Sequence, residues 1–252
     1  MLTPDNAVHV PPAVHHIPAD KVCGRAKDVI RRLQKAGYEA YLVGGCVRDL
    51  LLGLVPKDFD IATSAHPEEI RRLFNSCRLI GRRFRLAHIY YGRDYLEVAT
   101  FRAPHDDSED GGKVNDAGRI IHDNVYGTLE EDVWRRDFTI NALFYDPISD
   151  ELLDFVGGLD DLRNGKIRLL GNPEQRFRED PVRLLRAVRF AAKLNFEIEP
   201  RPWRVCARWE FCWKACLRRV CSMKSLSCCT AVVVGTLSGY CANTICWNTY
   251  CR

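Results

Sequence analysis

The chain has 252 residues, 46% of them hydrophobic, and a formal net charge of +4, enough to bury a real core in one large domain or two small ones and too apolar for a disordered chain. No apolar run approaches the roughly twenty residues of a membrane-spanning helix. The N-terminus, with Asp5 and scattered His and Pro, lacks a basic and then apolar leader pattern, so a cytosolic protein is expected.

Residues 1–19 carry Pro4, Pro11, Pro12 and Pro18 without periodicity and read as a disordered lead-in. Asp20 is placed to cap a helix over 20–36, with Val22, Ala26, Val29, Ile30 and Leu33 at helical spacing. An apolar strand over 41–43 then runs into Gly44-Gly45, a short helix over 46–52 follows, and a second strand begins with Asp58-Phe59-Asp60. Two glycines between a strand and a helix let backbone N–H groups approach phosphate oxygens without a Cβ in the way. On the second strand Asp58 and Asp60 share a face, because side chains alternate with period two. Two carboxylates on one face beside a phosphate cradle suit Mg²⁺.

Pro67 opens a further helix that ends near Asn75, and strands are predicted over 77–80, 87–91 and 95–101. With the first two strands they make a small mixed sheet with helices packed on it, an α+β head. Arg82, Arg83 and Arg85 surround Phe84, as a solvated loop or a phosphate or RNA contact. The polar stretch 103–123 reads as a mobile loop whose His105 and His122 lack a partner at ligand spacing. Thr128 and Glu131 have capping-box spacing for a helix that leads into Arg135-Arg136-Asp137. A turn at Asp146-Pro147, strands over 152–156 and 166–170, and helices from Pro173 and Pro181 complete the pattern, with Asp180 as N-cap of the last.

Gly44-Gly45-Cys46-Val47-Arg48-Asp49, followed after a short gap by Asp58-Phe59-Asp60, resembles the nucleotidyltransferase superfamily, in the branch that holds bacterial poly(A) polymerases and tRNA CCA-adding enzymes. The likeness runs from about Ala36 to Pro200, and it implies a nucleotidyltransferase head over 20–171 and the first helices of an all-helical neck over 172–200. It also implies two-metal chemistry, with Mg²⁺ ions about 3.5 to 4 Å apart held by Asp58 and Asp60. Asp137 is the favoured third catalytic carboxylate, with Glu97 as the other candidate. Gly44, Gly45 and Arg48 match the family's triphosphate cradle, and Arg135 and Arg136 are placed to reach the same charges. For Asp49 a surface ion pair is expected.

Asp180 and Arg183 match the family's base-reading pair, three apart and so on one helix face. A carboxylate accepts from an exocyclic amine and a guanidinium donates to the ring, which favours ATP or CTP over UTP or GTP. The block Leu79-Ile80-Gly81-Arg82-Arg83-Phe84-Arg85-Leu86-Ala87-His88-Ile89 is similar to one characteristic of the poly(A) polymerases. The resemblance thus implies AMP transfer from ATP to RNA 3′ ends. A CCA-adding enzyme and a truncated fragment that only binds ATP and Mg²⁺ are the alternatives.

Beyond residue 200 the composition changes abruptly: nine of the twelve Cys and four of the five Trp lie there, and eight Lys/Arg face Glu210 alone. Residues 1–200 hold 29 Lys/Arg against 32 Asp/Glu, so the catalytic part is not basic. Such a cysteine crowd suggests disulfides or zinc, but 201–252 has no apolar periodicity or turn logic. Codons compatible with residues 219–229, read one base earlier, allow an amphipathic helix of the kind that continues this family. The tail therefore reads as an out-of-frame extension, with no domain and no zinc site.

Overall fold

The computed structural model describes residues 7–81, 85–103, 125–180 and 182–199. It divides into two compact units, 1–163 and 164–252, a boundary earlier than the one at 171 read from the sequence. Arg82, Arg83 and Phe84, the stretch 104–124 with His105 and His122, Pro181, Pro200, residues 1–6 and the whole tail 201–252 lie outside the described residues.

In the first unit the elements run β1 (Val8–Val10), α1 (Pro12–His15), α2 (Gly24–Lys35), β2 (Ala40–Val43), α3 (Gly45–Leu51), β3 (Asp60–Thr63), α4 (Pro67–Leu73), β4 (Cys77–Ile80), β5 (Leu86–Tyr91), β6 (Asp94–Thr100), α5 (Leu129–Trp134), β7 (Leu143–Asp146), β8 (Glu151–Asp154) and α6 (Gly158–Arg163). Eight strands form one mixed sheet in the order β1-β8-β7-β2-β3-β6-β5-β4. Only β3 and β6 pair in parallel; every other neighbouring pair is antiparallel. The α+β class with flanking helices is as expected, but the sheet is larger than five strands. Two additions account for most of the difference. β7 is buried along its apolar length and shows no alternation, so nothing in its pattern marks a strand. β1 falls in the stretch expected to be disordered: Val8 to Val10 pair with Asp154 to Leu152 and close the edge of β8.

Helix α2 buries Ala26, Val29, Ile30 and Leu33, the periodic positions of the sequence, against the sheet. Its start differs from expectation. Ala19–Lys21 is a separate 3₁₀ turn and Cys23, not Asp20, precedes the helix. The capping box read at Thr128 and Glu131 holds at the start of α5, and the structure adds one that was not read, His66 with Glu69 at α4. Gly158 is required by close approach, since a Cβ there would collide with the Thr139 carbonyl.

The second unit contains β9 (Lys166–Ile167), α7 (Pro173–Glu179), α8 (Val182–Leu194) and β10 (Glu197–Ile198). β9 and β10 pair in parallel, and α8 packs on both and on α7 through Leu184, Ala187, Val188 and Ala191. Among the described residues no helix is long and apolar enough to cross a membrane.

Candidate active site

The carboxylates are assembled by strand register. Asp60 opens β3, opposite Val43 of β2 on one side and Glu97 of β6 on the other. Residues directly opposed in neighbouring strands lie side by side on one face. The expected strand from Asp58 begins two residues later, so Asp58 stands just outside the ladder and its direction is not set by strand alternation. Asp58, Asp60 and Glu97 nevertheless line one cleft of ≈ 570 Å³, with Lys57, Arg93 and Tyr95 also in its wall.

The Asp60 carboxyl is pushed up from 3.8 to about 6, first by desolvation, then by the charges of Glu97 and Asp58, with Arg136 opposing. Asp60 keeps contact with water, so the desolvation is crowding by the cleft walls and not exclusion of solvent. Like charges held together without a matching cation favour the neutral form. This excess of negative charge is what a divalent cation relieves, so the residues present fit Mg²⁺ with Asp58 and Asp60 as ligands. Among the described residues no group of three His, Cys, Asp or Glu side chains is arranged to hold a metal ion by itself. Asp137, preferred from the sequence as the third carboxylate, accepts from the Phe138 N–H at 2.9 Å and from Asn141 Nδ2 at 3.3 Å. Glu97 is the carboxylate that register sets beside Asp60.

The phosphate side begins one residue beyond Val43. Gly44 has φ 73° and precedes α3, a backbone state that L side chains rarely adopt. Arg136 Nη1 lies 3.7 Å from where a Gly44 Cβ would be, and Arg48 Nη2 3.6 Å from the corresponding Gly45 position. Two of the three arginines in this region are gathered by a residue that the sequence reading missed. Asp132, fully buried on α5, accepts from Arg135 Nη2 at 2.6 Å and Arg136 Nη2 at 2.7 Å. Burial pushes its carboxyl up, but Arg136 and Arg135 outweigh that and hold it below 3.8. The i,i+3 and i,i+4 spacing from Asp132 to Arg135 and Arg136 was the available signal. Arg136 also lies over the Phe144 ring, 4.7 Å from its centroid.

Arg48 is almost wholly buried and bonds Asp49 Oδ1 at 2.6 Å and Asn141 Oδ1 at 2.8 Å. The Arg48–Asp49 pair is therefore part of the interior, not the surface pair expected for Asp49, and it ties α3 to the 3₁₀ turn Thr139–Asn141. Cys46 beside it is buried, and desolvation pushes its thiol up to about 12, which makes it inert.

In the second unit Asp180 ends α7 and its Oδ1 accepts from Val182 N at 3.2 Å, the first residue of α8. The capping expectation holds in that bond, but Asp180 lies outside α8, so it and Arg183 do not share a helix face. Arg183 Nη1 instead donates to Glu179 Oε2 and to the Arg176 carbonyl, both at 2.8 Å. Burial raises the Glu179 carboxyl, but Arg183 and Arg176 outweigh that and hold it below 4.5.

The sequence profile described as the poly A polymerase head domain matches residues 40–168. Poly(A) polymerase I of Salmonella typhimurium is 55% identical over 194 residues, 76% of this chain and 42% of that protein. A CCA-adding enzyme of Lactobacillus helveticus is 44% identical over 177 residues, 70% of this chain and 42% of that protein. Among solved structures, the Bacillus stearothermophilus CCA-adding enzyme in complex with CTP superposes with a TM-score of 0.60 at 37% identity, covering 71% of this chain and 41% of that one. The chain thus spans about two fifths of the length of the proteins it matches.

Proposed function

Because the chain belongs to the poly A polymerase head domain family, we propose that it transfers AMP from ATP to RNA 3′-hydroxyl ends without a template. The observation that carries this reading is the register that sets Asp60 beside Glu97 and one residue from the Gly44 turn, so that carboxylates and an anion cradle adjoin. In the reaction the 3′-oxygen forms a bond to the α-phosphorus of ATP, its proton leaves, and the bond to the β-phosphate breaks to release pyrophosphate. Asp58 and Asp60 would hold Mg²⁺, which when bound would supply positive charge to the reacting phosphate and to the attacking hydroxyl.

The chain's own residues do the rest. Gly44 and Gly45 admit the triphosphate close to the backbone, and Arg136, oriented by Asp132, offsets its charge. Arg135 is held by the same carboxylate and supports that placement. Asp137 and Arg48 keep Asn141 and the 3₁₀ turn in place behind the cradle. Asp180 and Arg183 remain the base-reading candidates on the family likeness alone, since Arg183 is held by Glu179 and the Arg176 carbonyl; such a pair would admit ATP and CTP and disfavour UTP and GTP. The higher identity to a poly(A) polymerase than to a CCA-adding enzyme supports ATP. The test is incubation of the 252-residue chain with Mg²⁺, an unpaired RNA primer and each nucleoside triphosphate alone. Extension by ATP only is expected. CTP incorporation into tRNA that lacks its terminus would assign CCA addition, and ATP binding without extension would mark a fragment that only binds.

A further inference from the structure

One row of cross-strand partners runs from the acidic cleft to the far edge of the sheet. Asp60 faces Glu97, Glu97 faces His88, and His88 faces Arg78 on the edge strand β4. Opposed residues share a face, and three strand spacings of about 4.8 Å put the row at about 14 Å. The next row holds Tyr95 opposite Tyr90. Between them Ala87, Ile89, Leu96 and Val98 point the other way into the core. On the outer face, among the described residues, Arg78 is exposed, Tyr95 is 49% exposed, Tyr90 is half-buried and the His88 side chain is only 11% exposed.

The rings on this face are organised. His88 stacks flat on Tyr95, with centroids 4.3 Å apart and planes within 7°. Tyr90 stands 5.9 Å from Tyr95, and the Arg78 guanidinium lies over Tyr90 at 5.4 Å. At the other end His88 Nε2 is 3.5 Å from Glu97 Oε1. Exposed aromatic faces with a cation alongside are what unpaired nucleotides bind, because every base offers a π-face and every link carries a phosphate. The charge gradient along the row sets a direction. Backbone phosphates are drawn to the Arg78 end and repelled by Asp58, Asp60 and Glu97, so the terminus that approaches the cleft is the one ending in an uncharged hydroxyl.

We propose that the Tyr95, Tyr90 and Arg78 face, with His88 packed behind Tyr95, is a stacking platform for the unpaired 3′-terminal nucleotides of an RNA strand, which it leads to the Asp60–Glu97 cleft. The use of the hydroxyl rests on the adenylyl-transfer reading; the binding does not.

The test is fluorescence anisotropy of the 252-residue chain with a labelled, unpaired adenosine octamer RNA, in chelator so that no transfer occurs. The Tyr90→Ala/Tyr95→Ala double variant is expected to bind about tenfold or more weakly, while Tyr90→Phe/Tyr95→Phe, which keeps the rings, binds as the wild type. Arg78→Gln is expected to reduce the slope of log K against log salt by about 0.7, the value for one lost single-strand phosphate contact. A blunt duplex is expected not to compete. Unchanged octamer affinity in a folded double alanine variant, or no octamer binding by the wild type, overturns the platform. So does a double alanine variant that converts a dimer to monomers in sedimentation, since the face is then a contact between copies. If the double variant does not fold, an unchanged salt slope in Arg78→Gln overturns it alone. A wild type that binds through these rings yet adds no AMP rejects the catalytic reading and keeps the platform. Transfer with an unchanged RNA KM in the double variant does the reverse.

Discussion

Two acidic centres in the first unit are built in opposite ways. Asp132 is buried and carries two arginines on its two oxygens, so its carboxyl is held below the ordinary value. Asp60 stands in a wetter cleft beside two more carboxylates, with Arg136 alone acting in its favour, and its carboxyl rises to about 6. The first arrangement is internally neutralised and serves structure. The second crowds Asp58, Asp60 and Glu97 into one cleft with Lys57 and Arg93 in its wall, and the neighbouring carboxylates raise Asp60. The arginine that links them, Arg136, is fixed by the first centre and felt by the second.

The comparison breaks most sharply if Asp60 proves dispensable. Asp58→Ala and Asp60→Ala are each expected to lower AMP transfer by about a thousandfold or more, with little change in thermal midpoint because neither belongs to the core. Primer extension and melting curves measure the two. Near-normal extension in either variant removes that residue from the metal site.

Asp132→Ala is expected to show the opposite profile, a folding defect. Breaking a buried pair by removing one partner costs about 3 to 5 kcal/mol, read from urea unfolding at neutral pH. The sign with pH follows from the lowered carboxyl. Its contribution is complete above the unfolded value of 3.8 and is lost as pH falls through the lower folded value, so the gap between wild type and Asp132→Asn narrows in acid. A gap that widens in acid contradicts the clamp.

Arg183→Ala carries the contrast into the second unit. Losing one base contact is expected to reduce discrimination between ATP and UTP by about 1 to 3 kcal/mol with less effect on triphosphate affinity, measured from kcat/KM for each nucleotide. Equal use ratios in wild type and variant place base reading elsewhere. Asp180 is a poorer probe, because its carboxylate also holds the start of α8.

The smallest effect concerns Asp60 without metal. A carboxyl raised in the folded state takes up protons more readily there than in the unfolded chain, so its charge costs stability as pH rises from 3.8 through about 6. In chelator, Asp60→Asn is expected to melt slightly above the wild type at neutral pH and level with it below pH 3.8. Mg²⁺ is expected to raise the wild-type midpoint more than the variant's. A variant that melts lower at neutral pH in chelator argues that the cleft is already neutralised.

What the sequence determined by itself was local. The strand, Gly44-Gly45 turn and helix, the capping box at Thr128, the buried face of α2 and the helix start at Pro173 all depend on residues a few positions apart. Spacing and side-chain chemistry suffice for them. The tertiary structure decided what depends on distant pairing. β1 exists because β8 offers an open edge, and β7 is a strand only because β2 and β8 flank it. The parallel pairing of β3 with β6 brings Glu97 to Asp60, a register that no local pattern encodes. Burial, likewise a property of the whole fold, makes the Arg48–Asp49 pair an interior tie where a surface pair was expected for Asp49. It also made Asp132, one acidic residue among several at the start of α5, the anchor of Arg135 and Arg136. A carboxylate's role is set by which charges lie within a few ångströms of it, and those neighbours come from several elements that only folding brings together.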